Sequence, residues 1–243
     1  MNQFLTQSVR FIIMLGVTLS VCLLAGCGAS DQSDKKLVVC TTGIVADLVR
    51  NVVSGNMEVV ALMGPGVDPH LYKVTEGDIR RLSEADIIFY NGLHLESKMT
   101  EILEKLDKRK SVYKVTAAIP KDQLIYDDTY ESFPDPHVWF DVQLWMNAAQ
   151  YVSAIMASVD AEHKTVYKKS GVRYIRELQA LEREVTGKLA MVPKDQRVLV
   201  TAHDAFGYFA KAYGFQVRAL QGVSTESEAG VKDIRELSQF IAS

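Results

Sequence analysis

The sequence predicts an α/β protein of two lobes, each with a parallel sheet, linked by one long helix, the second lobe incomplete. Short, nearly all-apolar runs rich in β-branched residues alternate with segments of helical periodicity, the pattern of parallel strands covered by helices on both faces. Residues 161–191 hold apolar side chains at three- and four-residue spacing, through Val172, Ile175, Leu178, Leu181, Val185 and Leu189. A helix of that length sits awkwardly inside one small lobe and suits a rigid spine between two. After it the alternation restarts, with two strands where the first lobe has four.

The elements follow in order. Residues 37–41 make the first strand, and residues 44–53 a helix with Ile44, Val45, Leu48, Val49 and Val52 on one face. Residues 58–62 are the second strand. Residues 75–85 are helical, with Thr75 as cap and Asp78 three residues on. Residues 86–90 form a strand, 96–106 a helix and 111–115 a fourth strand. A loop rich in acids (Asp122, Asp127, Asp128, Glu131, Asp135) leads to a helix over residues 142–158, and the long helix follows. The second lobe offers a strand at 197–201, a helix at 206–213, a strand at 215–220 and a helix at 226–241. The predicted organisation is a signal peptide over 1–26, a lipidated tether over 27–36, a first lobe over 37–160, the linking helix over 161–192 and a partial second lobe over 193–243.

The leader fixes the address. It carries Arg10 as its one charge, followed by about fifteen apolar residues, the length of a secretory signal core and too short for a stable anchor. It ends in Leu24-Ala25-Gly26-Cys27, which resembles the lipobox of bacterial lipoproteins, where the cysteine is acylated. The polar tract from Gly28 to Lys36 then reads as a flexible tether. The protein is therefore expected on the extracytoplasmic face of a bacterial membrane, held by lipid at Cys27. Of its three cysteines, Cys22 leaves with the signal and Cys27 is lipidated. Cys40 alone remains, a small buried hydrophobe, so no disulfide framework is expected. The formal net charge of −3 offers no basic stripe and argues against a nucleic-acid partner.

Five histidines are present, and three follow a pattern. His70 and His137 each close an Asp-Pro-His triplet, with Asp68 and Asp135 as the acids, and His203 follows a strand and precedes Asp204. Proline fixes its own φ and pushes the preceding Asp away from helical geometry, so each imidazole leaves a stiff loop in a restricted direction. Ligands of an open parallel sheet bind beyond the carboxyl ends of its strands, where His70 and His203 are expected to emerge. Ordered imidazoles suit a metal, and Asp68, Asp135 and Asp204 are candidates to hold the far ring nitrogens. Separate, solvated loop histidines are the competing reading, since the spacings are not those of a local metal motif. His163, between Glu162 and Lys164, reads as surface. His94 could line the same cleft without ligating.

The residues match something specific. The segments from Met63 to His70, Asn91 to Glu96, Asp135 to Asp141 and Thr201 to Tyr208, in that order, make the chain resemble the metal-binding receptors of zinc and manganese ABC importers, closest to the TroA-like lipoproteins. The resemblance spans almost the whole mature chain. It implies two α/β lobes joined by one long helix, with Zn2+ or Mn2+ in the cleft as transported ligand. It further implies His70 and His137 as first-lobe ligands, His203 as a second-lobe ligand, and an ABC permease and ATPase as partners. The family's fourth ligand, an acid in the last part of the second lobe, has no match here, so the resemblance is to a C-terminally truncated member whose folding and affinity are impaired. Three imidazoles favour zinc, which binds more tightly than manganese. The loop from Lys121 to Pro134 lacks the histidines of many dedicated zinc receptors, so both metals stand. The rivals are a surface adhesin, a receptor for an organic chelate and a zinc hydrolase. The last lacks a His-Glu-x-x-His helix or similar base-bearing motif, and no enzyme is expected.

Overall fold

The computed structural model describes residues 35–126, 133–226 and 228–242. The signal peptide, Cys27 with most of its tether, and the loop acids Asp127, Asp128 and Glu131 lie outside the described residues.

The chain folds around two parallel sheets. The first has the order β2-β1-β3-β4, from β1 (Leu37–Cys40), β2 (Glu58–Ala61), β3 (Ile87–Tyr90) and β4 (Ser111–Lys114). In register, Val38 lies beside Val59 on one side and Ile87 on the other, and Ile88 beside Val112. Alternate residues serve opposite faces, as the pleat demands. Val38, Cys40, Ile87 and Phe89 join one buried cluster, while Val39, Ile88 and Val112 join the other. Such two-sided cover explains why the strands are short apolar runs without polar alternation. Cys40 is fully buried, and that burial pushes its thiol pKa up, so it behaves as the expected small hydrophobe.

Helices complete both faces. On the first lie α1 (Gly43–Val53), α4 (Val142–Val159) and the opening half of α5 (Lys164–Ala190); on the second lie α2 (Glu76–Glu84) and α3 (Thr100–Asp107). Their starts are set by local chemistry. Thr42 accepts from Val45 N–H to cap α1, and Asp141 accepts from Gln143 N–H to open α4. Thr75 and Asp78 form a capping box on α2, and Tyr72 also donates to Asp78 Oδ2 at 2.7 Å. The helix expected from residue 96 starts later, as a 3₁₀ turn (Ser97–Met99) leading into α3, because Glu96 is drawn into the interior.

The long helix α5 has 27 residues, roughly 40 Å at 1.5 Å per residue. It packs on α4 at Gly171, where an added Cβ would collide with the Ser153 side chain. Burial along α5 ends with Leu178, and the rest of the helix runs on towards the second sheet. Arg197 closes it, donating to the Leu189 and Val192 carbonyls and to the Tyr213 carbonyl beyond. The first half of α5 also corrects the reading that the chain has no basic stripe. Lys164, Lys168, Lys169, Arg173 and Arg176 are all exposed with no acid between them, a local run that the net charge hides.

The second sheet pairs β5 (Val198–His203) with β6 (Gln216–Gln221), Leu199 opposite Val217 and His203 opposite Gln221. Two helices accompany it, α6 (Gly207–Tyr213) and α7 (Val231–Ala242). β5 runs two residues beyond the expected strand, so His203 is carried by the strand itself. In β5 the side chains of Leu199, Thr201 and His203 are half-buried while those of Val198 and Val200 are exposed.

Candidate metal centre

Both Asp-Pro-His triplets fold the same way. Asp68 Oδ1 accepts the His70 backbone N–H at 2.9 Å, and Asp135 Oδ1 accepts that of His137 at 2.8 Å. An aspartate that bonds the backbone two residues on makes a local turn. With proline between, each histidine enters the interior from a rigid loop, and both are almost fully buried. His203 arrives from the other sheet, at the end of β5.

The structure brings these three histidines together. His137 Nε2 lies 3.3 Å from His70 Nε2 and 3.2 Å from His203 Nε2. The ring centroids are 5.0–5.3 Å apart and mutually inclined, and one ligand atom from each lies within 4.8 Å of the others. Nitrogens each 2.0–2.1 Å from one tetrahedral zinc would lie about 3.3 Å apart. His94 is not among them. It sits at a positive φ of 68° and stacks on Phe133 at 4.0 Å. His163 belongs to a separate group, 2.9 Å from Asp160.

The far ring nitrogens decide which atoms face the centre. His137 Nδ1 is 2.7 Å from Asp135 Oδ1, which already accepts the His137 backbone N–H and so acts as an acceptor. His203 Nδ1 is 2.8 Å from the Gly222 carbonyl, which can only accept. Both Nδ1 atoms therefore donate, and in a neutral imidazole that leaves the lone pair on Nε2, the atom that faces the centre. Burial, then the neighbouring His137 and His203, holds the His70 pKa down to about 4. Burial first, and then His137, lowers that of His203. At neutral pH His70 and His203 are therefore uncharged imidazoles, the form a metal takes.

Two sequence expectations need correction. Asp68 does not hold the His70 ring. Its Oδ1 is spent on the backbone and its Oδ2 accepts from Thr225 Oγ1 at 2.6 Å, while His70 Nδ1 is buried with no hydrogen-bond partner among the described residues. At His203 the ring's partner is the Gly222 carbonyl rather than Asp204, because the end of β6 runs alongside and offers a backbone acceptor. Of the three acids, Asp135 is the one hydrogen-bonded to its neighbouring histidine ring.

Other groups were not singled out in the sequence. Glu96 is buried and accepts from Thr41 Oγ1 (2.6 Å), Asn91 N–H (2.8 Å) and Gly92 N–H (3.1 Å). Burial raises its pKa, and those bonds pull the other way. The turn it organises aims Asn91 Nδ2 at the Pro136 carbonyl, at 3.0 Å, fixing the loop just before His137. Tyr208 donates to the Asp135 carbonyl at 2.8 Å, and a Cβ at Gly207 would press on Asp135 Oδ2 at 2.8 Å. Asn91, Gly207 and Tyr208, from two of the segments that resembled a family, thus brace the Asp135–His137 pair.

Comparison with known proteins finds a matching family and related structures. The model of the family described as zinc-uptake complex component A, periplasmic (ZnuA) matches residues 38–243. The manganese-binding lipoprotein MntA of Bacillus subtilis is 42% identical over 233 residues, covering 94% of this chain and 76% of the relative. The zinc-binding protein TroA of Treponema pallidum is 47% identical over 208 residues, covering 86% and 67%. The solved structure of the Treponema protein superposes with a TM-score of 0.83 at 47% identity, covering 86% of this chain and 74% of that one. An Fe(III)-bound YtgA from Chlamydia trachomatis superposes at 0.78 with 25% identity, covering 85% and 76%.

Proposed function

This chain belongs to the ZnuA family of periplasmic zinc-uptake components, and from that premise we propose that it captures Zn2+ or Mn2+ for an ABC importer. His70, His137 and His203 are the ligands in this reading. One observation carries it: the Nδ1 atoms of His137 and His203 are each set against a fixed acceptor, which leaves their Nε2 atoms, 3.2 Å apart, and that of His70 at the spacing of ligands to one ion. Three imidazoles favour zinc over manganese, whose preference runs to oxygen. The relatives' names include both metals, and the proposal keeps both.

The remaining parts of the reading follow. In this reading the protein is held by lipid at Cys27 on the extracytoplasmic face and delivers the metal to a permease that an ATPase drives. Capture is favoured over hydrolysis because the nearby carboxylates are committed, Asp135 to His137 and Asp68 to Thr225, which leaves neither to serve as a general base. Metal content by mass spectrometry, with zinc and manganese titrations, tests the proposal. Binding of one ion per chain, abolished by His137→Ala and untouched by His163→Ala, is the expected result. No binding, or equal losses from both substitutions, overturns it.

A further inference from the structure

One short segment joins the holders of two of these histidines. Its first residue, Gly222, gives the carbonyl that fixes His203 Nδ1. Three residues on, Thr225 Oγ1 donates to Asp68 Oδ2 at 2.6 Å, and the other oxygen of that carboxylate accepts the His70 backbone N–H. Next, Glu226 Oε1 accepts from Ser97 Oγ at 2.7 Å and lies 3.0 Å from Lys98 Nζ. Ser97 Oγ is itself 3.2 Å from the His70 carbonyl. Both ends of the His70 peptide are therefore approached by groups that the segment holds.

We infer that residues 222–226 are a strap that sets the separation of His70 and His203, and that Thr225 and Glu226 are positioning residues for metal retention. The inference rests on the capture reading and deepens it. His70 comes from a loop beyond the first sheet and His203 from the edge of the second, so nothing in either sheet fixes their distance. The strap does so through hydrogen bonds to charged groups, among the stronger kind. Its polar anchors flank one buried apolar side chain, that of Val223. Ser224 is buried and accepts from Glu226 N–H, which keeps the strap's own turn closed. With the strap in place the three nitrogens stay at coordinating distance; with it released, His203 can part from His70 and the ion leaves.

The test uses the full chain with Thr225→Val, which keeps the shape and removes the donor, and Thr225→Ser, which restores it. Zn2+ is loaded and chased with excess chelator. Loss of one bond to a carboxylate should quicken release about tenfold in Thr225→Val, with one ion still bound per chain at saturation. Thr225→Ser should return release to the original rate. In metal-free protein, exchange of the His70 amide hydrogen should be faster in Thr225→Val, because its acceptor Asp68 is no longer held from the far side. Release and exchange both unaltered in Thr225→Val, or no recovery in Thr225→Ser, overturns the strap. If the original chain binds no metal, the capture reading falls by that result alone, and amide exchange still decides the strap.

Discussion

At His137 one carboxylate oxygen performs two tasks. Asp135 Oδ1 accepts both the backbone N–H and the ring Nδ1–H of the same histidine, fixing where the imidazole stands and which tautomer it adopts. Asp135→Asn keeps the size but weakens the ring's acceptor, and should lower metal affinity about 10–100-fold while leaving the melting temperature of the metal-free protein nearly unchanged. Competition with a calibrated chelator measures it, and an unaltered affinity would show that the ring is oriented by packing alone. His70 carries a pH signature of a different kind. In the folded protein it takes up its proton near pH 4, whereas an unfolded histidine does so near 6.5. Between those values unfolding binds the extra proton. The stabilising contribution is therefore complete above about pH 6.5 and is lost as pH falls through 4, by at most on the order of 3 kcal/mol. His203, shifted the same way, adds to it. Urea titration of metal-free protein across this range should give a shallower slope against pH in His70→Ala than in the original chain. Parallel slopes would mean that other groups dominate.

At the scale of elements, close approach between backbones decides two positions. Gly171 lets α5 seat against Ser153 of α4, whose hydroxyl donates to the Tyr167 carbonyl at 3.0 Å. Gly171→Ala forces the helices apart and should cost about 1–3 kcal/mol by denaturant midpoint, with the metal stoichiometry preserved. An unchanged midpoint would contradict the packing described. Gly207, at the start of α6, leaves room for Asp135 in the same way. These elements were readable from sequence to different depths. The four strands of the first sheet and the helices at 43–53 and 142–159 stand where apolar periodicity predicts them, because their faces are buried and burial is what periodicity reports. The helix expected from residue 96 failed for a tertiary reason, since Glu96 is a good helix former that the fold spends on the Asn91–Gly92 turn. The helix expected from 226 starts at Val231, because Glu226 is held in the strap by Ser97 and Lys98.

On the scale of the whole molecule, the three nitrogens come from three distant places, and only the fold makes them neighbours. The triplets ending at His70 and His137 were visible as stiff loops in sequence, and His203 as the residue at a strand's end, while the resemblance to a family joined the three as ligands. The groups that fix the rings were only partly visible. Asp135 lies within its own triplet, but the Gly222 carbonyl is a backbone atom that every residue possesses, and no pattern of side chains marks it. The hydrogen bond from Thr225 to Asp68 likewise depends on where the second sheet stands against the first. A site assembled in this manner links metal binding to folding, because an ion that needs both sheets binds the native state and not the unfolded chain. Free Zn2+ at a hundredfold excess over Kd should then stabilise the protein by about 2.7 kcal/mol. For a chain of this size that raises the melting temperature by roughly 5–10 °C. The shift should vanish on adding chelator and be absent in His203→Ala, whose ligand is the second sheet's contribution, yet persist in His163→Ala. If His203→Ala keeps the full shift while His70→Ala loses it, the ion is held by the first sheet's loops alone and the second sheet plays no part in capture.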